Sequence, residues 1–352
     1  MPGMLQDGKA IARASRRRTE LALALTMLGA SALGLVTLFV RWAMADGVGT
    51  VAVAFWRLLL AAPLLWALTL RERHKSNTSA GDGGASSEDL PAGPSTGLQS
   101  SARPVGVRTD ILWLTVPGLF FAGDLTLWHW SIKLTSVANA ALFTNLAVIV
   151  VSLAGWIWLR ERFGATFVAG GILALIGAAV LLGVSFNISS QRLLGDALGL
   201  TSALFYGSYQ LSVKRLRDRF TAAQILFTSA LSSAAVLLVI SLATRERLLP
   251  ASWVGWAAVV AMAVVSHVGG QGLIAHAVMH LPVSLSSVAL LMQPLVAAIT
   301  GWAFLCETMG PIQLVGGAVV LVGIALARYG SLQAEGSRSH RCGERRKVRG
   351  TK

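Results

Sequence analysis

Gly155 to Ala179 reads GWIWLRERFGATFVAGGILALIGAA, and Gly301 to Ala325 reads GWAFLCETMGPIQLVGGAVVLVGIA. Set one above the other with a shift of 146 residues and no gap, they agree at ten of 25 positions. The matches include Gly155 with Gly301, Trp156 with Trp302, Glu161 with Glu307, Gly170 with Gly316, Gly171 with Gly317 and Gly177 with Gly323. Glycine-rich apolar sequence matches itself by composition alone. A Gly-Trp pair followed at the same spacing by a Glu does not arise so easily, so the chain reads as an internal repeat.

The surroundings of the two copies say where the repeat lives. Of 352 residues, 54% are hydrophobic and 13% charged, about half the charge of an ordinary soluble domain. The apolar residues form long blocks, and a bilayer crossing needs about 20 of them in a row. Uncharged runs cover 21–40, 134–159, 163–191, 220–244, 248–306 and 308–327, the fifth long enough for two crossings. Three further stretches fit if one buried charge each is tolerated or the span is slightly short: 48–70 around Arg57, 111–132 around Asp124, and 197–213. Period-two alternation is missing, and backbone groups in lipid must be satisfied within the segment, so the expected class is an all-α integral membrane protein.

Ten transmembrane helices are expected, over 21–42, 49–70, 111–132, 137–159, 164–184, 196–214, 221–243, 253–277, 283–305 and 311–328. They form two five-helix repeats, 21–184 and 196–328, with basic tails at 1–20 and 329–352. The Ser-, Gly- and Pro-rich stretch 73–108 reads as a disordered cytoplasmic loop. With the N-terminus inside, 24 of the 30 Lys and Arg fall on the inner side, which puts both termini in the cytoplasm and makes the net charge of +14 a topology signal. An odd helix number per copy inverts the second copy, and inverted repeats place a substrate site near the midplane and permit alternating access. No nucleic-acid partner is implied. Cys306 and Cys342 both read as cytoplasmic, where thiols stay reduced. Glu161 and Glu307 both read as turn or cap groups on that side.

TSVANAALFTNLAV at 135–148 opens the fourth expected helix, LPVSLSSVALLMQPLV at 281–296 opens the ninth, and a Glu closes each. With two five-helix halves, the sequence resembles the EamA-type members of the drug/metabolite transporter superfamily, over every helix and leaving out the tails and the 73–108 loop. That resemblance implies a bacterial inner-membrane permease, often an exporter of amino acids or other small metabolites. The family often carries Pro in both the fourth and ninth helices, where this chain has Val148 and Pro294. Pro294 is expected to kink and gate its helix and to leave the Leu290 carbonyl free, while the fourth helix is expected to be straighter.

Polar residues at membrane depth supply the candidate site, because an ionisable group there needs a cavity, a partner or a function. Asp124 is a proton carrier, a group for a substrate amine, or a helix-locking ion pair, with Trp128 one turn on. His129 is either a proton shuttle or an interfacial ring. Arg57 reads as an anchor snorkelling to headgroups, with ligand binding as its alternative. His267 and Gln271 share a helix face, and Asn145, Tyr206, Tyr209, Gln210 and Gln293 are hydrogen-bonding groups that serve equally as ligand contacts or interhelical glue. His276 and His280 have a metal-compatible spacing, but no carboxylate completes a site. No cofactor, metal or catalytic motif is expected.

The expectation is an exporter of small polar metabolites working by alternating access, with small-molecule substrate and lipid as partners and with proton coupling and homodimerisation left open. Its rivals are a membrane-embedded, histidine-dependent enzyme and a structural or sensory membrane protein.

Overall fold

The computed structural model describes residues 2–81, 107–135, 137–161, 163–183, 190–305 and 310–349. Every regular element among them is helical. In chain order they are α1 (Pro2–Gly34), α2 (Val36–Ala45), α3 (Thr50–Gly81), α4 (Val107–Leu134), α5 (Val137–Asn145), α6 (Ala147–Ile157), α7 (Ala165–Leu182), α8 (Ser190–Leu216) and α9 (Ala222–Ala243). Next comes α10 (Trp253–Ala261), which runs through a π-helical stretch, Met262–Gln271, into α11 (Gly272–Ala277) and a short 3-10 turn. The chain finishes with α12 (Val283–Ala289), α13 (Met292–Leu305) and α14 (Pro311–Arg349). Helix continues past the expected ends at 70 and 328, and 82–106 of the expected loop lies outside the described residues.

Among the described residues, eight spans are long and apolar enough to cross a membrane. α4 and α8 are just as long, at 28 and 27 residues. They carry Asp124, His129 and Lys133 in one case and Arg192, Asp196, Gln210 and Lys214 in the other. Outward-facing apolar side chains such as Ile172, Leu231, Val239 and Val322 are exposed in the isolated chain, and in a bilayer they meet lipid.

The repeated glycines explain themselves in the packing. α7 lies against α14 with backbones touching: a Cβ on Gly170 would stand 2.3 Å from the Ala327 nitrogen and 2.7 Å from the Gly323 oxygen, and one on Gly177 would stand 2.9 Å from the Gly316 oxygen. Small residues permit this approach where no hydrophobic force drives helices together. The contacts are reciprocal under the 146-residue shift, since Gly170 meets Gly323 and Gly177, the counterpart of Gly323, meets Gly316, the counterpart of Gly170. α3 packs on α9, α4 on α8, and α1 on the π-helical stretch and α11.

Carboxylates hold the two ends of the bundle. At one end Asp46 accepts from the backbone N–H groups of Ala251 and Ser252 at 2.6 and 2.9 Å, just before α10. Glu246 accepts from Val51 and Ala52 at 2.8 and 3.1 Å at the start of α3, and Lys133 pairs with it at 3.2 Å. At the other end Glu161 accepts from the Val283 and Ser284 N–H groups at 2.8 and 3.3 Å and from the Ser284 hydroxyl at 2.5 Å. Lys214 donates to the Val278 and Leu281 carbonyls there. In each case the negative side chain sits where free N–H groups and the positive end of a helix dipole converge.

The Gly-to-Glu spacing of the repeat now has a local cause. α6 stops with Arg160 in the left-handed region at φ 53°, the Glu161 N–H bonds back to the Gly155 carbonyl at 2.9 Å, and a Cβ on Gly155 would stand 3.0 Å from the Glu161 carboxylate. Glu307 and Cys306, read from the sequence as cytoplasmic, lie outside the described residues.

Two expectations about helix breaks change. The stretches expected as fourth and ninth helices are both interrupted, between α5 and α6 at Leu146 and between α12 and α13 at Leu290 and Leu291, so lack of a proline at Val148 does not straighten the first of them. In its place the Thr144 hydroxyl bonds the Ala140 carbonyl at 3.0 Å, a back-bond that bends helices, and the Leu146 N–H is shared between the Leu142 and Phe143 carbonyls. Nor is the Leu290 carbonyl free ahead of Pro294, because the Gln293 N–H takes it at 2.9 Å in a tighter turn.

Candidate functional site

A cavity of about 430 Å³ lies between the helices. The interrupted elements surround it: Gly34 and Thr37 flank the break between α1 and α2, Thr144 and Asn145 the break between α5 and α6, Gln293 and Pro294 the start of α13, and Gln271 the end of the π-helical stretch. A widened i→i+5 turn often marks a functional site. Here it sits where α1 approaches so closely that Cβ atoms on Gly29 and Gly270 would both meet opposing backbone. The wall reaches exposed Arg41 and Trp302 at the Asp46 end. Toward the other end the Glu161 and Lys214 bonds tie α6 and α8 to the start of α12.

Asp124 is buried on this wall, and its Oδ1 accepts from the Ser202 hydroxyl of α8 at 2.5 Å. Ser202 in turn lies 3.2 Å from the Thr144 hydroxyl, so one carboxylate gathers α4, α8 and α5. Trp128 is half-buried on the same wall. Tyr206 lines it too, its hydroxyl facing Gln293 and Gln271.

The sequence reading thus finds Asp124, Trp128, Asn145, Tyr206, Gln271, Gln293 and Pro294 brought together on one wall. His129, Gln210 and His267 are placed elsewhere. His129 is buried with Nδ1 2.5 Å from the Leu125 carbonyl and its ring edge-on to Trp128. Gln210 borders a much smaller void beneath Tyr206 and Gln271. His267 is fully buried, stacked on Phe121 at 5.9 Å, with both ring nitrogens lacking a hydrogen-bond partner. His276 and His280 are exposed, with ring centroids 6.4 Å apart.

Arg57 is the residue the sequence misplaced. It is 6% exposed, faces the cavity and lies with Cζ 5.7 Å from the Phe121 ring centroid. The expected snorkelling to headgroups does not occur, because its α3 position faces the bundle interior, among Phe121, Tyr206 and Tyr209. A charged residue in an otherwise apolar run was the available signal. Phe121 of α4, stacked on Tyr209 at 4.7 Å, carried none.

A family model, the EamA-like transporter family, matches residues 20–183 and 193–329. The chain belongs to the EamA-like transporter family. Among curated proteins it is similar to the pseudopaline exporter CntI of Pseudomonas aeruginosa, 26% identical over 230 residues, which is 64% of this chain and 79% of that one. It is also similar to a probable terminal-alkyne amino-acid exporter of Streptantibioticus cattleyicolor, 25% identical over 237 residues, 66% of this chain and 79% of that one. A solved crystal structure superimposes with a TM-score of 0.65 at 18% identity, covering 89% of this chain and 98% of the other, a likeness of fold alone. This EamA-like chain is a multi-pass membrane protein of a transporter family.

Proposed function

We propose that this EamA-like protein exports small polar metabolites of the amino-acid class across the bacterial inner membrane, by alternating access between two inverted five-helix halves. The observation that carries the reading is the cavity itself: a space of about 430 Å³ inside the bundle, walled by Asp124, Asn145, Tyr206, Gln271 and Gln293, and reaching exposed residues at the Asp46 end. A pocket that is mostly apolar with a few placed polar groups suits a small polar ligand. The export direction and the amino-acid class lean on the two named relatives.

Counting α4 and α8 with the eight apolar spans gives ten crossings, a reading supported by the burial of Asp124, His129, Ser202 and Gln210. Reciprocal contacts of Gly170, Gly177, Gly316 and Gly323 support an in-plane two-fold relation between the halves. The excess of Lys and Arg on the Glu161 side supports a cytoplasmic position for that end and for both termini. The cavity then faces outward, and the Glu161 and Lys214 bonds close the inner side.

Asp124 recognises a substrate cation or carries the coupling proton. The test is the extracellular metabolite profile of cells making wild type against cells making equal, membrane-inserted amounts of Asp124→Asn. A compound class enriched outside with wild type and at least tenfold less with Asp124→Asn is expected. Identical profiles would remove Asp124 from the mechanism.

A further inference from the structure

Arg57 presents a problem that the described residues do not solve. Its guanidinium is buried, its Nε has no hydrogen-bond partner, and no ion pair joins it to a carboxylate. The face of Phe121 offers a cation–π contact, which offsets part of the desolvation and satisfies no N–H donor. A buried cation without a partner is strongly unfavourable, so a chain that keeps one on a cavity wall has the missing partner arrive from the cavity. Asp124 stands on the same wall, engaged by Ser202 and not by Arg57.

We propose that Arg57 is the carboxylate-binding residue of the cavity, so that the substrate is a zwitterion held with its carboxylate on Arg57 and its ammonium at Asp124. This rests on the exporter reading above and specifies its ligand. The guanidinium fork is the planar complement of a carboxylate. With one positive and one negative pole on the wall, a neutral dipolar ligand satisfies both, whereas a lone anion or a lone cation leaves one of them unpaired. Arg41 also lines the cavity, but it is exposed at the mouth and its charge is shared with solvent.

The experiment is equilibrium dialysis of the full chain in lipid nanodiscs against three equimolar pools read by mass spectrometry. The pools are the twenty proteinogenic L-amino acids, their carboxamides, and the matching α-hydroxy acids. Wild type is expected to retain at least one amino acid tenfold or more above its amide and its hydroxy acid. Arg57→Gln is expected to lose that retention at least tenfold while unfolding at the same or a higher temperature, because an unpaired buried charge has gone. Arg57→Lys keeps part of it. Amides retained as well as acids, no pool member retained by folded wild type, or full retention by Arg57→Gln would each overturn the proposal. The wild-type acid-over-amide comparison needs no variant to fold. Counterflow of the retained amino acid in proteoliposomes separates the two readings. Retention without movement refutes export and leaves the Arg57 site standing, while equal movement by wild type and Arg57→Gln refutes the site and leaves export standing.

Discussion

Replacing Glu161 by alanine removes three bonds that converge on the first turn of α12: those from the Val283 and Ser284 N–H groups and from the Ser284 hydroxyl. A lost helix cap is worth about 1 kcal/mol, and a hydrogen bond to a charged acceptor about 1.5 kcal/mol or more. Together the end held shut by Glu161 loses about 2.5 kcal/mol, a factor of roughly sixty in the balance between closed and open forms. Glu161 is partly exposed, so solvent screening of its charge brings the lower bound to about tenfold. Ser286 reports on this end. It is 1% exposed, its hydroxyl has no partner, and it borders the small void under Tyr206, so a cysteine there is tolerated and shielded. With Cys306 and Cys342 replaced by serine, Ser286→Cys is labelled by a membrane-impermeant maleimide in inside-out vesicles. The Glu161→Ala background should raise the labelling rate by about tenfold to sixtyfold, and Glu161→Gln, which keeps one acceptor oxygen, should raise it less. A rate unchanged or slowed by Glu161→Ala would refute the latch and with it the assignment of the closed end.

Gly170→Ala places a methyl 2.3 Å from the Ala327 nitrogen. Overpacking of this kind costs about 1–3 kcal/mol, so the unfolding temperature in detergent should fall, whereas Gly272→Ala, in helical conformation with a Cβ that meets nothing within 4 Å, should not lower it by the same measurement. Asp46, outside the membrane spans, has its carboxyl held below the ordinary 3.8 by the Ser252 hydroxyl and backbone N–H, the Ala251 N–H and the charge of Arg247. A lowered folded pKa stabilises fully above about 3.8 and the contribution is lost as pH falls through the folded value. Asp46→Asn should therefore unfold at a lower temperature than wild type at pH 7, and thermal scans of the two should converge as the pH is taken below 3.8. A gap that widens in acid would show that the carboxylate is not the stabilising form.

Much of the architecture was legible because a bilayer permits few solutions: long apolar blocks read directly as helices, and the repeated glycines of 155–179 and 301–325 announced a close helix pair. Breaks within the helices were not legible from proline alone. Leu146 breaks the fourth without one, through a threonine back-bond and a shared carbonyl, and Met262–Gln271 widens to a π-helix with nothing in its sequence but small residues to suggest it. Those breaks decide which polar groups reach the cavity. Asn145 and Gln293 stand beside such breaks and face it, while His129 and His267, equally polar in the sequence, lie on unbroken or interior faces and are buried away from it.

Arg57 shows the same limit from the other side. Hydropathy and charge identify a cation inside a span but not the direction it faces, and an arginine that faces lipid must snorkel whereas one that faces the interior must find an anion. The packing of α3 against α9 and the aromatic cluster around Phe121 turn it inward. The residues that lower the hydropathy of α4 and α8 include Asp124, His129 and Gln210, which are buried. A polar side chain so covered by neighbouring helices is spared the cost it would meet facing lipid, so the helices least able to cross a membrane alone are the ones that hold Asp124 and Tyr206 beside the cavity.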